Sequence, residues 1–215
     1  DRLRSRGLGD VYKRQGKTTM VLESLIPGLE AKLNGEHFPA HVKSITAEGV
    51  AHVKLIDASP IGINVRSTVA TYANVHDELR KIYAKTADAK NKKYKAGDFS
   101  YNTGKLRCLV CDGTGQISLD VQFLPDVDVP CPECGGSRYT REAWEICYEN
   151  KQGMRYSLPQ MMEMDVTTAL QATQEWKVVH QRLEVLKNLG LGYLTLGEET
   201  PSLSGGEAQR LKLAS

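Results

Sequence analysis

Four cysteines carry the plainest chemistry in this chain. Cys108-Leu-Val-Cys111 and Cys131-Pro-Glu-Cys134 form two C-x-x-C pairs separated by nineteen residues. Each pair turns tightly and offers two thiolates at one vertex, so two pairs complete a tetrahedron around one zinc ion. Gly113, Gly115, Gly135 and Gly136 follow the pairs and let the backbone turn until its N–H groups reach the sulfurs. With four thiolates as ligands no position stays open for a water, so the expected Zn2+ is structural rather than catalytic. A redox dithiol is the rival reading. That chemistry uses one pair beside a βαβ unit, whereas here two pairs bracket an alternating stretch.

Two further stretches have residue types that hold phosphate. Gly16-Lys17-Thr18-Thr19 matches the end of G-x-x-x-x-G-K-[ST], in which backbone N–H groups and the lysine cradle phosphates and the Ser/Thr hydroxyl meets Mg2+. Its front is altered, because Val11 stands where the pattern has its first glycine. Near the other end, Leu203-Ser204-Gly205-Gly206-Glu207 leads into a helical stretch. Ser204 and the N–H groups of Gly205 and Gly206 would present donors at the positive end of a helix dipole. Ser204 with Glu207 three residues on is equally a capping box, and both uses draw on the same donors.

These groups must be positioned by the elements around them. Residues 1–15 are arginine-rich without a hydrophobic period and read as a tail or a foreign junction. Met20, Val21, Leu22, Leu25 and Ile26 have helical spacing up to Pro27-Gly28, and Val53 to Ile56 reads as a buried strand. A helix is expected over 77–87, running into the basic stretch KNKKYKAGD. Between the cysteine pairs, Ile117, Leu119, Val121 and Phe123 alternate with polar residues, Pro125-Asp126 breaks the run, and Val127 and Val129 alternate again, a β-hairpin pattern. Trp144 to Tyr148 reads as a short strand and Cys147 as a packed core residue. Asp165 caps a helix over 166–174, and a second helix carries Val178, Val179, Leu183, Leu186 and Leu189 before Gly190 stops it. The organisation expected is a partial ATP-binding core over 16–75, a basic helix and linker over 76–107, a zinc module over 108–140, and a helical region over 141–215.

The string LSGGEAQRLKLAS resembles the signature motif of ATP-binding-cassette ATPases. With SPIGINVRSTVATY, CLVCDGTG and FLPDVDVPCPECGGSRYTRE in the same order, the chain from residue 16 to 215 resembles the C-terminal half of the UvrA family, damage-recognition ATPases of bacterial nucleotide excision repair, or of a UvrA-like paralogue. The resemblance implies an α/β fold of mixed α+β character: an incomplete ATP-binding-cassette half with an inserted helical signature region and a four-cysteine zinc-bound hairpin. It implies ATP with Mg2+ as a cofactor beside Zn2+, duplex DNA as a partner, a homodimer, and nuclease subunits of the repair system. Lys17 would reach the β and γ phosphates and Thr18 would ligate Mg2+, while Ser204, Gly205, Gly206 and Glu207 would close over the γ-phosphate of the opposite half. Lys105, Arg107, Arg138 and Arg141, near the cysteine module, become candidate phosphate contacts.

The sequence departs from the family at three places. Val11 and Arg14 replace a glycine and a serine of the phosphate loop, Ala58 stands where a glutamine senses Mg2+ and the attacking water, and no apolar strand ending in Asp-Glu precedes Ser215. The expected reading is therefore a fragment that does not hydrolyse ATP efficiently alone. His180 is no substitute for the switch histidine and reads as a solvent-facing helix residue.

Length and composition are those of an ordinary globular protein: 215 residues, 25% charged and a formal charge of +2. That charge is too small to argue for nucleic acid by itself. The segment from Arg80 to Arg107, though, sets nine lysines and arginines against Asp88 and Asp98. No apolar run is long enough to span a bilayer and no secretory pattern opens the chain, so the cytoplasm is the expected compartment and no membrane partner is expected. Two other readings stand beside the first. Cys108 to Gly115 fits the C-x-x-C-x-G-x-G knuckle of J-domain co-chaperones, which makes a zinc-dependent binder of DNA or unfolded protein an alternative, and Ala58 is compatible with a drug-resistance paralogue.

Overall fold

The computed structural model describes residues 19–56, 61, 64–119 and 127–214. The chain divides into two compact units at 57/58, a boundary inside the expected 16–75 segment. In the first unit a π-helical turn over Met20–Leu25 runs into helix α1, Ile26–Asn34. Pro27 therefore lies near the start of a helix rather than ending one. Its missing N–H would have bonded the Glu23 carbonyl, and the His41 ring takes that oxygen instead, with Nε2 at 3.0 Å. Gly35, at φ 72°, stops α1 in the left-handed conformation. Residues 53–56 form no strand. A strand needs a neighbour for its ladder, and among the described residues of this unit none runs beside them.

The second unit is helical with two antiparallel strand pairs. Thr68 caps a short helix α2, Val69–Tyr72, in a reciprocal box with Thr71. Helix α3, Val75–Tyr83, and the short α4, Ala87–Asn91, follow. Strands β1, Gln116–Leu119, and β2, Val127–Pro130, pair with Ile117 opposite Val129. Helix α5, Arg141–Glu145, precedes the pair β3, Cys147–Glu149, and β4, Arg155–Ser157. Helices α6, Leu158–Glu163, α7, Val166–Ala172, and α8, Lys177–Asn188, lead to a 3₁₀ turn over Thr200–Ser202 and helix α9, Gly205–Leu213.

One core joins residues on both sides of the cysteine module. Leu79, Tyr83, Phe99, Tyr101 and Leu106 bury against Tyr139, Ile146, Leu158, Met161, Leu183 and Leu186, each contributing about 1.5–3 kcal/mol of apolar transfer. The basic segment 76–107 is thus packed chain: its lysines face outward while its aromatics fill the core. Asp165 caps α7 as its position predicts, accepting from the Thr168 N–H at 2.8 Å. The strand expected over 144–148 is displaced. Ala143 and Ile146, one helical turn apart, are both buried, so the chain stays helical to Glu145 and pairs as a strand only from Cys147. Cys147 is half-buried rather than a core residue, and His180 is half-buried rather than solvent-facing, with its Nδ1 shielded and unpartnered.

Candidate functional site

Residues 106–108 and 138–140 close the base of the cysteine module. Cys108 N–H donates to the Arg138 carbonyl at 2.9 Å and Thr140 N–H to the Leu106 carbonyl at 2.9 Å. From this base each C-x-x-C turns through residues of positive φ: Asp112, Gly113 and Gly115 after the first pair, Gly135, Gly136 and Arg138 after the second. Two of the glycines are required by close approach as well. A Cβ on Gly113 would lie 1.7 Å from the Tyr101 carbonyl oxygen, and one on Gly115 would lie 2.8 Å from that of Gly136. Gly115 is therefore where the two knuckles touch.

The four Sγ atoms of Cys108, Cys111, Cys131 and Cys134 lie within 4.8 Å of one another. Cys108 and Cys131 approach to 3.9 Å and Cys111 and Cys134 to 3.7 Å. Four thiolates bound tetrahedrally at Zn–S of about 2.3 Å stand about 3.8 Å apart, so the donor set fits one such ion. Gly115 N–H donates to Cys111 Sγ at 3.3 Å, a contact that supports a charged sulfur. Burial pushes the Cys134 thiol up to about 12, and a cation at the centre of the cluster would favour its thiolate.

The cations around this module divide into two kinds. Lys105 and Arg141 project into solvent, with side chains 76% and 87% exposed. Arg107 is held by Asp112, its Nη1 2.9 Å from Oδ1, and Asp112 also binds Arg66 at 2.6 Å. The Arg66 guanidinium beside it, with Arg107, keeps the Asp112 carboxyl below its usual range. Arg138 corrects the expectation of a surface phosphate contact. It is buried, and its guanidinium is spent on Glu199 Oε1 at 2.8 Å and on the carbonyls of Val65 and Gly113 at 3.1 and 3.3 Å. No sequence signal distinguished it from its neighbours, apart from a position directly after a knuckle.

Ser204 begins α9 as a capping box: its backbone N–H donates to Glu207 Oε2 at 2.6 Å, and Glu207 N–H donates to Ser204 Oγ at 3.4 Å. The Tyr193 hydroxyl donates to the other Glu207 oxygen, and that bond leads in keeping the carboxyl below its ordinary range. Ser204, Gly205 and Gly206 are exposed at the helix N-terminus. Gly16, Lys17 and Thr18 lie outside the described residues, as does Ala58, and Thr19 is exposed at the start of the first helical segment.

No protein-family model matches the chain. Among curated proteins, it is 41% identical over 202 residues to UvrABC system protein A of Clostridium tetani and 42% identical over 204 residues to those of Streptococcus pneumoniae and Bacillus subtilis. In each comparison 93% of this chain is covered. The chain spans about a fifth of the length of these relatives, 21% of each. Among solved structures, the crystal structure of UvrA2 from Deinococcus radiodurans matches with a TM-score of 0.68 at 40% identity, covering 74% of this chain and 19% of that one. Among the described residues no helix is long and apolar enough to cross a membrane.

Proposed function

This chain belongs to the UvrA family, and from that premise we propose that it forms part of a DNA-damage-recognition ATPase of nucleotide excision repair. In this reading Cys108, Cys111, Cys131 and Cys134 hold a structural Zn2+, and the strands between the pairs are carried on it. The observation that carries the reading is the cysteine tetrahedron itself, of the size zinc requires, in a chain that matches UvrABC system protein A over 93% of its length. Duplex DNA, a second copy and the nuclease subunits of the repair system are the partners this entails, and the compartment is the cytoplasm.

Lys105 and Arg141, largely exposed and only loosely paired with Asp98 at 4.0 Å and Glu133 at 3.8 Å, are the cations near the module offered to DNA phosphate. Binding of a duplex should weaken steeply between 50 and 200 mM salt, and each phosphate neutralised adds about 0.9 to the slope of log affinity against log salt. Fluorescence anisotropy of a labelled duplex tests this. Lys105→Ala with Arg141→Ala should lower the slope by about 2 without altering the fold. An unchanged slope removes these two residues from the DNA surface. The exposed knuckle tip, with Leu109 77% and Val110 59% exposed, favours a second reading as a protein binder. Salt-insensitive capture of an unfolded polypeptide, with no DNA binding, would replace the repair reading by that one.

For the nucleotide, Gly16, Lys17, Thr18 and Thr19 hold the phosphates and Mg2+, in an ATP-binding-cassette half. Ser204, Gly205, Gly206 and Glu207 close over the γ-phosphate bound by a second half. Gly205 supports this role, because nothing within 4 Å of an added Cβ requires a glycine there, although glycine disfavours a helix by about 1 kcal/mol. Among the described residues nothing needs that smallness, which suits the approach of a phosphate instead. Gly205→Ala should leave the urea midpoint unchanged or slightly raised, while affinity for a fluorescent ATP analogue in the assembled dimer falls at least about tenfold. Unaltered nucleotide affinity would take Gly205 out of the phosphate contact.

A further inference from the structure

Glu199 is the point where the two knuckles meet the rest of the unit. Its Oε1 accepts from Arg138 Nη2 at 2.8 Å and from Gln116 Nε2 at 2.9 Å. Gln116 follows the first knuckle and Arg138 follows the second, so the two donors reach one oxygen from opposite halves of the cysteine module. Arg138 is buried and Glu199 mostly so, with side-chain exposures of 5% and 17%, on the wall of a cavity that Gly115, Gln116 and Ser202 also line. The Tyr101 ring covers the guanidinium at 5.2 Å. A carboxylate largely withdrawn from bulk water depends on both donors, and most of all on the charged one.

What holds the donors in register is the cysteine cluster. Arg138 Nη1 donates across to the Gly113 carbonyl, which lies two residues beyond Cys111. The Arg138 backbone carbonyl accepts from Cys108 N–H. Opening the cluster would let knuckle one, with Gln116, part from knuckle two, with Arg138. On the other side, Glu199 leads directly to α9. Thr68 and Glu199 form a β-bridge, Val69 N–H donates to the Glu198 carbonyl and Thr200 N–H to the Ser67 carbonyl. The 3₁₀ turn over Thr200–Ser202 follows, with Ser202 Oγ bonded to the Glu199 carbonyl, and then the Ser204 cap.

We propose that Arg138, Gln116 and Glu199 form a joint through which a metal ion in the cysteine cluster holds the segment 198–210, so that metal occupancy sets the order of the α9 N-terminus. The joint rests on the reading of the cluster as a metal site and adds a consequence more than 60 residues away. Arg138 and Glu199 are positioning residues here, since neither touches the ion.

Hydrogen exchange on the full 215-residue chain, loaded with Zn2+ and after chelation, tests the joint. In the unaltered protein, chelation should speed exchange at least tenfold in 198–210 as well as in 108–137. Glu199→Gln should bind one Zn2+ per chain and keep 108–137 protected, yet exchange 198–210 at least tenfold faster even when loaded. If that variant does not fold, Gln116→Leu, which leaves the ion pair in place, decides the matter with an increase of about threefold or more. Chelation that loosens 108–137 alone, or variants whose 198–210 segment exchanges as slowly as in the unaltered protein, would overturn the joint. A chain that binds no Zn2+ at all fails the metal reading instead, which the stoichiometry shows separately.

Discussion

Chelating the metal, or replacing Cys131 with serine, unfolds residues 108–137 while helices α3, α7 and α8 stay folded. Among the described residues, the small cluster inside the module consists of Cys108, Cys111 and Cys131, with Ile117 and Cys134 packed against it. The apolar content of these described residues is therefore largely the ligands themselves. A two-stranded pair of this size has marginal stability on its own, and Leu119 and Val127 at its far end are 45% and 47% exposed. A structural zinc contributes on the order of 10 kcal/mol or more of apparent binding free energy, comparable to the whole stability of a typical domain. The core around α3, α7 and α8 does not draw on that term, because its buried residues form a separate cluster. Serine at 131 supplies no thiolate, so the variant should match the chelated protein. Amide protection at 116–119 and 127–130 is the readout. Protection that survives chelation would show that packing, not metal, holds the strands.

The readable parts of this molecule were those governed by short range. The Ser204–Glu207 box, the Asp165 cap and each C-x-x-C pair involve partners three residues apart, and the two pairs, 23 positions apart, announce each other by repeating one motif; each stands where the pattern placed it. Arg138 shows where such reading stops. Its partners Gly113, Glu199 and Val65 lie 25, 61 and 73 positions away. A buried cation therefore looked like a surface one. Val53 to Ile56 failed for a related reason: an apolar run states that a segment is to be buried, while a strand also needs a ladder partner, which composition cannot supply. At Trp144 to Tyr148 two periods overlapped, and the helical spacing of Ala143 and Ile146 won over alternation until Cys147 found Ser157 opposite it. The lysine and threonine of the phosphate loop, Lys17 and Thr18, lie outside the described residues, so their role rests on the motif and the family.

His76 gave no signal in the sequence, yet it should make the second unit sensitive to acid. It is buried in α3, with Nε2 2.8 Å from the Tyr139 hydroxyl, and that hydroxyl donates to the Phe99 carbonyl at 3.0 Å. Since the tyrosine proton is committed, the histidine must donate through Nε2–H. The Tyr101 ring packs against the imidazole at 4.8 Å. Burial, then the Arg80 guanidinium, with a smaller contribution from Arg138, lower its pKa to about 3 against the opposing pull of Asp77. In the unfolded chain the same group titrates near 6.5. Between those values the unfolded chain binds one more proton than the folded one. Stability is therefore full above about pH 6.5 and falls as pH drops toward 3, by about 1.4 kcal/mol per pH unit and by roughly 4–5 kcal/mol in all. His76→Phe keeps an aromatic ring in place and leaves the Tyr139–Phe99 bond intact, at a cost of about 1 kcal/mol for the lost donor at neutral pH. Urea unfolding followed by circular dichroism at pH 6, 5 and 4 should then give a slope of stability against pH smaller than that of the unaltered chain by about 1.4 kcal/mol per unit. Acid also protonates the cysteines, but that loss is common to both proteins and cancels in the difference. Parallel slopes would mean that His76 accepts a proton without leaving its place, and the acid sensitivity would then belong to the cysteine cluster alone.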